Sequence, residues 1–376
     1  MECCAESMES AQIIFSLLIM GPIFYWAIMK ARKIKSPERD KNGVTNREIC
    51  VVLPMRNEGA NVERKISSII EEILPYSFVS MIVADSDSDD RTKQIAREFL
   101  DKSPLEESRW RIMSFDVRGK NIALNGVMEE ITADIVVISD ADAKVAPGWL
   151  EIVSSRMDEE DIGVVSGIER ENPQHTSGFN DYYRGKSNWL RVSESEIDST
   201  PVLEGSILAW KTSALGKFRL NERMNADDAQ IGFFSIRSGH RSIIDQRLTF
   251  RRFEGSPDRT FMESVRRAQG LSLALLKNAD LAISGPRKES RVAIFNALYL
   301  YVFFPWAAVF FVLNSLIYFS FNPGLDYSIR SVSVVVILLI LISRQGRFVA
   351  KGISISILAH IQAVSGRRYQ NWDPIR

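Results

Sequence analysis

Residues 134–142 read Asp-Ile-Val-Val-Ile-Ser-Asp-Ala-Asp, an apolar run that is followed by two aspartates. This apolar, β-branched run is typical of a buried strand. Asp140 stands where that strand ends, and Asp142 follows after one intervening residue. Two carboxylates at this spacing can face one hard cation, and Mg²⁺ or Mn²⁺ held in this way neutralises a diphosphate. A solvated turn gives the same three-residue pattern, so the position after a strand is the stronger signal.

Other enzyme classes fit the sequence less well. Phosphatases of the haloacid dehalogenase type share the DxD pattern but carry Thr or Val two residues after it, where this chain has Lys144. No GxGxxG follows the first strand and no complete phosphate-loop motif is present, which disfavours NAD enzymes and ATPases. The three cysteines and three histidines are scattered along the sequence, which disfavours a disulfide scaffold and a zinc hydrolase. With 47 basic and 47 acidic residues, no net field favours nucleic acid.

Strand-like and helix-like segments alternate before the DxD motif. They predict an α/β domain with a mostly parallel sheet. The predicted strands are Ile49–Leu53, Phe78–Ala84, Trp110–Phe115 and Asp134–Ser139, and the predicted helices are 62–73, 91–100 and 121–130.

Three polar clusters follow predicted strands. They are PMRNEG at 54–59, DSDSDD at 85–90 and SDADA at 139–143. In open parallel sheets, ligands collect at the carboxyl ends of the strands. We therefore expect the three clusters to form one site.

The apolar segments indicate a membrane protein. Ala11–Met29 is about as long as the hydrocarbon layer is thick, and basic residues follow it while only acidic ones precede it. The positive-inside rule then places the N-terminus outside and the following domain in the cytoplasm. A second span is predicted at Val292–Phe321, and a shorter returning span at Ile329–Ile342. Ile353–Val364 suits an interfacial or re-entrant helix; a buried core helix is the alternative reading of all these segments.

The motifs together resemble family 2 glycosyltransferases of the GT-A fold, in their membrane-bound, polysaccharide-synthase-like subgroup. The resemblance covers residues 49–376. It is carried by VLPMRNE at 52–58, ADSDSDDRT at 84–92, GKNIALN at 119–125, SDAD at 139–142, EGS at 204–206, NADDA at 225–229 and the Trp-containing tail GRRYQNWDPIR at 366–376.

The resemblance assigns a role to each motif. It implies a divalent cation (Mg²⁺ or Mn²⁺) as cofactor and a UDP- or GDP-linked sugar as donor. The implied residues are, for donor binding, Pro54, Arg56, Asn57, Glu58, Asp85, Lys120 and Asp140; for the metal, Asp140 and Asp142; for the acceptor, Gly205, Ser206 and Asp227; and as general base, Asp228.

Some of these motifs have simpler structural readings. Without the family context, residues 119–125 would be the start of an ordinary amphipathic helix. Gly205 would shape a strand bend, and Asp227 would be a helix N-cap.

The resemblance fails at Glu263-Ser-Val-Arg-Arg267, where processive synthases carry QxxRW. Arg266 and Arg267 remain as contacts for donor phosphate or anionic lipid, or as a solvated basic face. We therefore expect transfer of one or few sugars to a membrane lipid or glycan acceptor. The alternatives are a processive polysaccharide synthase, a nucleotidyltransferase and a non-catalytic membrane subunit.

The expected organisation has five parts. They are a transmembrane anchor at 1–30, a basic linker at 31–48, a GT-A catalytic domain at 49–256, an interfacial helical segment at 257–291, and a transmembrane or interfacial region with a cytoplasmic tail at 292–376. The protein would then be integral to the cell membrane with its catalytic domain in the cytoplasm.

Overall fold

The computed structural model describes residues 2–32, 43–170, 178–253, 260–321, 335 and 342–367. One eight-stranded sheet organises the domain. Its strands are β1 Ile49–Met55, β2 Val79–Ser86, β3 Trp110–Phe115, β4 Ile135–Ser139, β5 Ala143–Val145, β6 Ile162–Glu169, β7 Ile207–Lys211 and β8 Arg241–Arg252.

The helices lie on both faces of the sheet and at its end. They are α1 Glu2–Ala31, α2 Val62–Ile73, α3 Thr92–Leu100, α4 Lys120–Glu130, α5 Trp149–Met157, α6 Phe179–Ile197, α7 Thr212–Leu215, α8 Asp227–Arg237, α9 Phe261–Lys277, α10 Leu281–Ser284, α11 Lys288–Leu298, α12 Phe304–Phe321 and α13 Arg344–Val364. A π-helical turn, Tyr299–Phe303, joins α11 to α12.

The strand order is β3-β2-β1-β4-β7-β6-β8-β5. The first four strands are parallel, as the sequence predicts. The other half is mixed, because β7 runs antiparallel to both neighbours and β5 runs antiparallel to β8. The α/β prediction is confirmed, and the departure from parallel pairing is confined to the strands after the DxD motif.

The central strands β1 and β4 are buried on both faces, which explains why their sequences are almost uninterruptedly apolar. Along β1, Val51 and Leu53 enter the core formed with α2, α3 and α5, whereas Cys50 and Val52 enter the core formed with α4 and neighbouring helices. With both faces covered, polar loops remain only at the strand ends. The carboxyl ends of β1, β2 and β4 therefore carry the site.

Two helical segments are apolar and long enough to cross a bilayer, by length and composition alone: Ile13–Ala31, with 19 residues, and Lys288–Ile317, with 30. They pack against each other in opposite directions. Tyr299 lies against Gly21 and donates a hydrogen bond to the carbonyl of Leu18, whereas Phe15 meets Phe310 further along, with ring centroids 6.1 Å apart. The crossing directions predicted for these segments stay a prediction.

The predicted helix Ile353–Val364 is the second half of the longer helix α13. His360 on α13 contacts Ser272 of α9 through Nε2 and accepts a hydrogen bond from Trp306 of α12 at Nδ1. Its other face is exposed, since Val364 is 90% accessible. One buried and one exposed face suit an interfacial helix. Most of the predicted span Ile329–Ile342, and the tail after residue 367, lie outside the described residues.

Candidate active site

Hydrogen bonds join the loops that follow β1 and β2. The Asn57 backbone N–H donates to Ser88 Oγ at 3.1 Å, and the Asp89 N–H donates to Asn57 Oδ1 at 2.8 Å. Asn57 and Asp87 have φ of 53° and 51°, a left-handed conformation that Asn and Asp tolerate better than most residues. The predicted donor-binding loops are thus held as one unit.

Asp85 offers an unused acceptor at the bottom of these loops. The residue is 5% exposed, and within the described residues no donor reaches its buried Oδ1, whereas Oδ2 lies 3.5 Å from the Ser88 N–H. A buried carboxylate oxygen without a hydrogen bond is costly unless a ligand supplies the donor. Arg56, 2% exposed, lies behind the same loops with Nη2 3.6 Å from Asp89.

The two DxD carboxylates are each held by a cation. Asp140 Oδ1 lies 2.7 Å from Lys120 Nζ, and Asp142 Oδ2 lies 2.9 Å from Arg252 Nη2. The Asp140 N–H donates to the carbonyl of Ser206 at 3.3 Å, which ties the motif to the start of β7. Both aspartates therefore face the same end of the sheet.

Lys65 lies directly beneath this motif and is fully buried. Its Nζ donates to Ser139 Oγ and to the Ala143 carbonyl, both at 2.7 Å, so it bridges the two ends of the DxD turn. Burial lowers the pKa of Lys65 to about 8, although the charges of Asp140 and Asp142 oppose this. The lysine fixes the turn and adds positive charge below two carboxylates.

Glu58 faces the same carboxylates from the β1 loop. Burial raises the pKa of Glu58 to about 7; a hydrogen bond from Asn61 opposes the rise, and repulsion by Asp142 and Asp140 adds to it. A carboxyl whose pKa is raised by neighbouring carboxylates is typical of a place that attracts a cation.

A second cluster of charges surrounds Gly205. Lys120 Nζ also lies 2.9 Å from Asp227 Oδ2, so one ammonium bridges Asp140 and Asp227. Desolvation lowers the pKa of Lys120, but these two carboxylates outweigh it and the pKa is raised. A Cβ added to Gly205 would lie 3.7 Å from Lys120 Nζ and 3.8 Å from Asp228 Oδ2. The glycine thus leaves open space between the ammonium and Asp228.

Asp228 lies in the first turn of α8, and its Oδ1 accepts a hydrogen bond from the Ala229 N–H at 2.7 Å. Desolvation and then the neighbouring Asp227 raise the pKa of Asp228 to about 7. Asp227 is the first residue of the helix and not its N-cap, which is Ala226. The N-cap reading of Asp227 is therefore wrong, and its carboxylate pairs with Lys120 instead.

Arg266 and Arg267 lie on α9, but their environments differ. The Arg267 side chain is exposed. Desolvation lowers the pKa of Arg267, but the carboxylates of Glu204 and Asp228 outweigh it and the pKa is raised. Arg266 contributes its backbone carbonyl, which accepts a hydrogen bond from Asn225 at 3.2 Å. Ser206, from the acceptor motif, donates through Oγ to Asp140 Oδ2 at 3.4 Å.

The donor set fits a hard divalent cation. Asp140 and Asp142 supply carboxylate oxygens, and no cluster of three or more His, Cys, Asp or Glu arranged for a metal occurs among the described residues. Mg²⁺ is usually held by one or two carboxylates together with substrate phosphates and water, not by an all-protein cage. One or two aspartates are therefore sufficient at this position.

Comparisons with known proteins show the family and the fold of this chain. The model of glycosyl transferase family 2 matches residues 50–247. Glycosyltransferase AglE of Haloferax volcanii is 26% identical over 119 residues, which are 32% of this chain and 38% of that protein. The 4,4'-diaponeurosporenoate glycosyltransferase of Staphylococcus haemolyticus is 35% identical over 128 residues, 34% of this chain and 32% of that protein. The match thus spans no more than 38% of either curated relative.

The solved structure of mannosyltransferase PcManGT from Pyrobaculum calidifontis, in complex with GDP-Man and Mn²⁺, superposes with a TM-score of 0.78. The two chains are 24% identical, and the superposition covers 96% of this chain and 99% of that one. This likeness shows a shared fold. Fold and site together define a glycosyltransferase of the GT-A type. The chain belongs to glycosyl transferase family 2.

Two residues of the site were absent from the motifs. Lys65 had a sequence signal, because it falls on the helix face defined by Val62, Ile66 and Ile69, where every other position is apolar. Arg252 had no such signal in the sequence, since its contact with Asp142 depends on the pairing of β5 with β8.

Proposed function

We propose that this protein is an inverting, metal-dependent glycosyltransferase that moves a sugar from a nucleotide-sugar donor to a membrane-associated acceptor. The observation that carries the proposal is the bridge through Lys120, whose Nζ contacts both Asp140 and Asp227. Through Lys120, the DxD motif is therefore linked to Asp227, the residue next to Asp228 in the sequence. Lys120, which contacts the DxD motif, and the proposed base Asp228 come from distant parts of the sequence and border the same space at Gly205.

The donor is proposed to enter between the β1 and β2 loops. The unpaired Oδ1 of Asp85 accepts a hydrogen bond from a ring N–H, which both uracil and guanine offer. This supports a UDP- or GDP-linked sugar. PcManGT was solved with GDP-Man and Mn²⁺, which is a fact about that protein and supports the same donor class here. Pro54, Arg56, Asn57 and Glu58 would shape the pocket around the nucleotide.

The diphosphate is proposed to lie beside Asp140, Asp142 and Lys120. A Mg²⁺ or Mn²⁺ ion bound by the two aspartates would neutralise the charge that develops on the departing nucleotide. Lys120, already placed against Asp140 at 2.7 Å, can donate to a phosphate oxygen. Arg267 adds a second positive charge to the cleft, and Lys65 holds the DxD turn in place.

The transfer step is proposed to use Asp228 as general base. The acceptor hydroxyl gives its proton to the Asp228 carboxylate while its oxygen attacks the anomeric carbon, and the bond from that carbon to the diphosphate breaks on the opposite face. The configuration at the anomeric carbon therefore inverts. Gly205, Ser206 and Asp227 would border the acceptor, because they surround the space that the hydroxyl must enter.

The acceptor is proposed to be a lipid or glycan at the membrane, receiving one or few sugars. Glu263 caps α9 through Thr260, with reciprocal hydrogen bonds of 2.6 and 3.1 Å. The residue that replaces the Gln of QxxRW thus has a helix-capping role. This supports limited transfer over processive synthesis.

The decisive experiment incubates the purified full chain with Mn²⁺ or Mg²⁺ and a panel of UDP- and GDP-linked sugars. Nucleotide release, incorporation of labelled sugar into membrane lipid and the anomeric configuration of the product are measured. We expect release that depends on the cation and a product of inverted configuration. A retained configuration would refute the single-displacement mechanism. With pyrophosphate added, formation of the nucleoside triphosphate and a sugar 1-phosphate, without release of nucleoside diphosphate, would indicate a nucleotidyltransferase. No turnover with any donor would indicate a non-catalytic subunit.

We also propose that residues 1–30 anchor the protein in the membrane and that the catalytic domain, 49–256, is cytoplasmic. Three further parts complete this arrangement: a linker at 31–48, an interfacial segment at 257–291 and a transmembrane or interfacial region at 292–376. The antiparallel packing of α1 against α12 supports two crossings in opposite directions. Tyr25 at the end of α1 donates to Glu194 of α6 at 3.0 Å, which attaches the anchor to the domain.

Cysteine labelling in intact cells tests this topology. In a Cys3→Ser, Cys4→Ser background, where the remaining Cys50 is buried, Asp326→Cys should react with an impermeant maleimide from outside. The matched Asp101→Cys variant should react only after lysis. Labelling of Asp101→Cys in intact cells, or of Asp326→Cys only after lysis, would contradict the orientation.

A further inference from the structure

A cavity of about 620 Å³ lies where α1, α6 and α13 meet. We call it the headgroup pocket; it is lined by Trp26, Lys30, Lys186, Trp189, Arg344 and Phe348, among others. None of these residues belongs to a motif discussed above. Its volume is within the range of small-molecule sites and far exceeds that of a single ion.

Three cations face the pocket with aromatic rings as partners. Lys30 Nζ and Lys186 Nζ lie 4.9 and 5.5 Å from the centroid of the Trp26 ring, and Arg344 Cζ lies 5.5 Å from that of Phe348. In the described parts of the chain, no carboxylate lies within ion-pair distance of these three cations. The pocket also contains Asp181, but its carboxylate is directed to Arg184 at 3.5 Å.

This arrangement has an electrostatic consequence. Three positive charges that line one cavity create a positive potential there, and this potential attracts an anion. Lysine and arginine side chains free to point inward are the groups that bind phosphate.

The position of the pocket specifies the source of the anion. Lys30 is in the last turn of α1, at the end of the segment Ile13–Ala31, which is long enough to cross a bilayer. Trp26 and Trp189 pack against each other at the same level, with ring centroids 5.3 Å apart. Tryptophan and basic residues concentrate where headgroups lie, and the cytoplasmic leaflet is anionic.

We propose that the headgroup pocket binds the phosphate of an anionic membrane lipid. This inference rests on the proposed membrane anchor and adds a lipid site outside the transfer site. Lys186 and Trp189 line it from one face of α6. Arg191, on a different face of the same helix, pairs instead with Glu204 at 2.9 Å beside the acceptor motif. A lipid held here would fix the depth and tilt of the catalytic cleft relative to the bilayer.

The test titrates the full chain in uncharged detergent with a monomeric short-chain lipid, dihexanoyl phosphatidylglycerol, and measures binding by calorimetry. Dihexanoyl phosphatidylcholine and inorganic phosphate are titrated in parallel. We expect saturable binding of the anionic lipid that is stronger than that of the other two. The double variant Lys30→Gln/Lys186→Gln should bind about 30-fold more weakly, since it removes two basic residues from the site of an anionic headgroup.

The matched control is Lys93→Gln/Lys102→Gln, which removes two exposed lysines from the other side of the domain and should bind as the wild type does. Arg344→Gln, at the first residue of α13, is a second single-site test if the double variant fails to fold. Unchanged affinity in a folded pocket variant would overturn the proposal. Equal affinity for inorganic phosphate and for lipid would do so too, because the pocket would then recognise a soluble anion.

Monomeric lipid also separates this inference from the proposed function. Binding in detergent depends neither on turnover nor on a bilayer, so an inactive or uninserted protein can still give the expected result. Asp140→Ala should retain full lipid affinity. Loss of lipid binding in that variant would place the lipid in the donor site and overturn the separate pocket.

Discussion

Replacing Asp228 with Asn is expected to lower the rate of sugar transfer by about 10²–10⁴-fold, the usual contribution of a general base. The amide keeps the size of the side chain, and its oxygen can still accept the Ala229 N–H that Oδ1 accepts at 2.7 Å. Donor affinity should therefore change little. Initial rates of nucleotide release and equilibrium binding of the nucleoside diphosphate measure the two effects separately.

The pH dependence should change with it. Because a base works only when it is deprotonated and the pKa of Asp228 is raised to about 7, wild-type transfer should fall as the pH drops below neutrality. A bound cation favours the ionised carboxylate, so more Mn²⁺ should move this acid limb to lower pH. Asp228→Asn should lack the limb. A variant with wild-type rate and the same acid limb would show that another group is the base.

Stability supplies a control for the same variant. A carboxyl whose pKa is higher in the folded protein than in the unfolded chain favours folding while protonated, and that contribution is lost as the pH rises through the folded pKa. Asn resembles the protonated form, so Asp228→Asn should be at least as stable as the wild type above pH 7 by thermal unfolding. Asp101→Asn, an exposed substitution of the same kind, should leave rate and stability unchanged.

Asp140→Ala is expected to lower the rate of turnover by about 100-fold or more, because it removes one of the two carboxylates proposed to bind the metal. The substitution also removes the carboxylate that contacts Lys120 Nζ at 2.7 Å, so that Lys120 pairs with Asp227 alone. Both effects weaken the contact with the donor diphosphate, so donor affinity and rate should fall together. This differs from Asp228→Asn, where the rate alone falls.

Initial rates over a range of Mn²⁺ concentrations measure the effect of Asp140→Ala. Excess Mn²⁺ should restore part of the rate if Asp142 still holds the ion. Asp116→Ala, an exposed aspartate in a loop, is the matched control and should retain full activity. Wild-type activity in folded Asp140→Ala would refute the assignment of the metal site.

The first half of the fold was predictable because its signals are local. Each strand from Ile49 to Ser139 is a short apolar run, and each helix between them has one apolar face. The structure places those strands within one or two residues of the predicted bounds. The carboxyl ends of parallel strands meet at one edge, so the position of Asp85 and Asp140 at the same edge of the sheet also followed.

The second half was not predictable in the same way. β5 has only three residues, and its pairing with Arg252 joins segments more than a hundred positions apart. No local pattern shows that Arg252 holds Asp142, or that Asp227 faces Lys120. Lys65 is intermediate: its place on an apolar helix face indicates burial, but its contacts with Ser139 and Ala143 depend on how α2 packs on the sheet.

The central claim is that Asp140 and Asp142 bind a divalent cation together with a nucleoside diphosphate. Paramagnetic resonance of Mn²⁺ measures it directly in wild type and Asp140→Ala, with and without UDP or GDP. We predict that one of the nucleotides tightens Mn²⁺ binding to the wild type, that Mn²⁺ tightens that nucleotide by the same factor, and that both effects disappear in Asp140→Ala. Equal nucleotide affinity with Mn²⁺ and with EDTA in the wild type would contradict the claim.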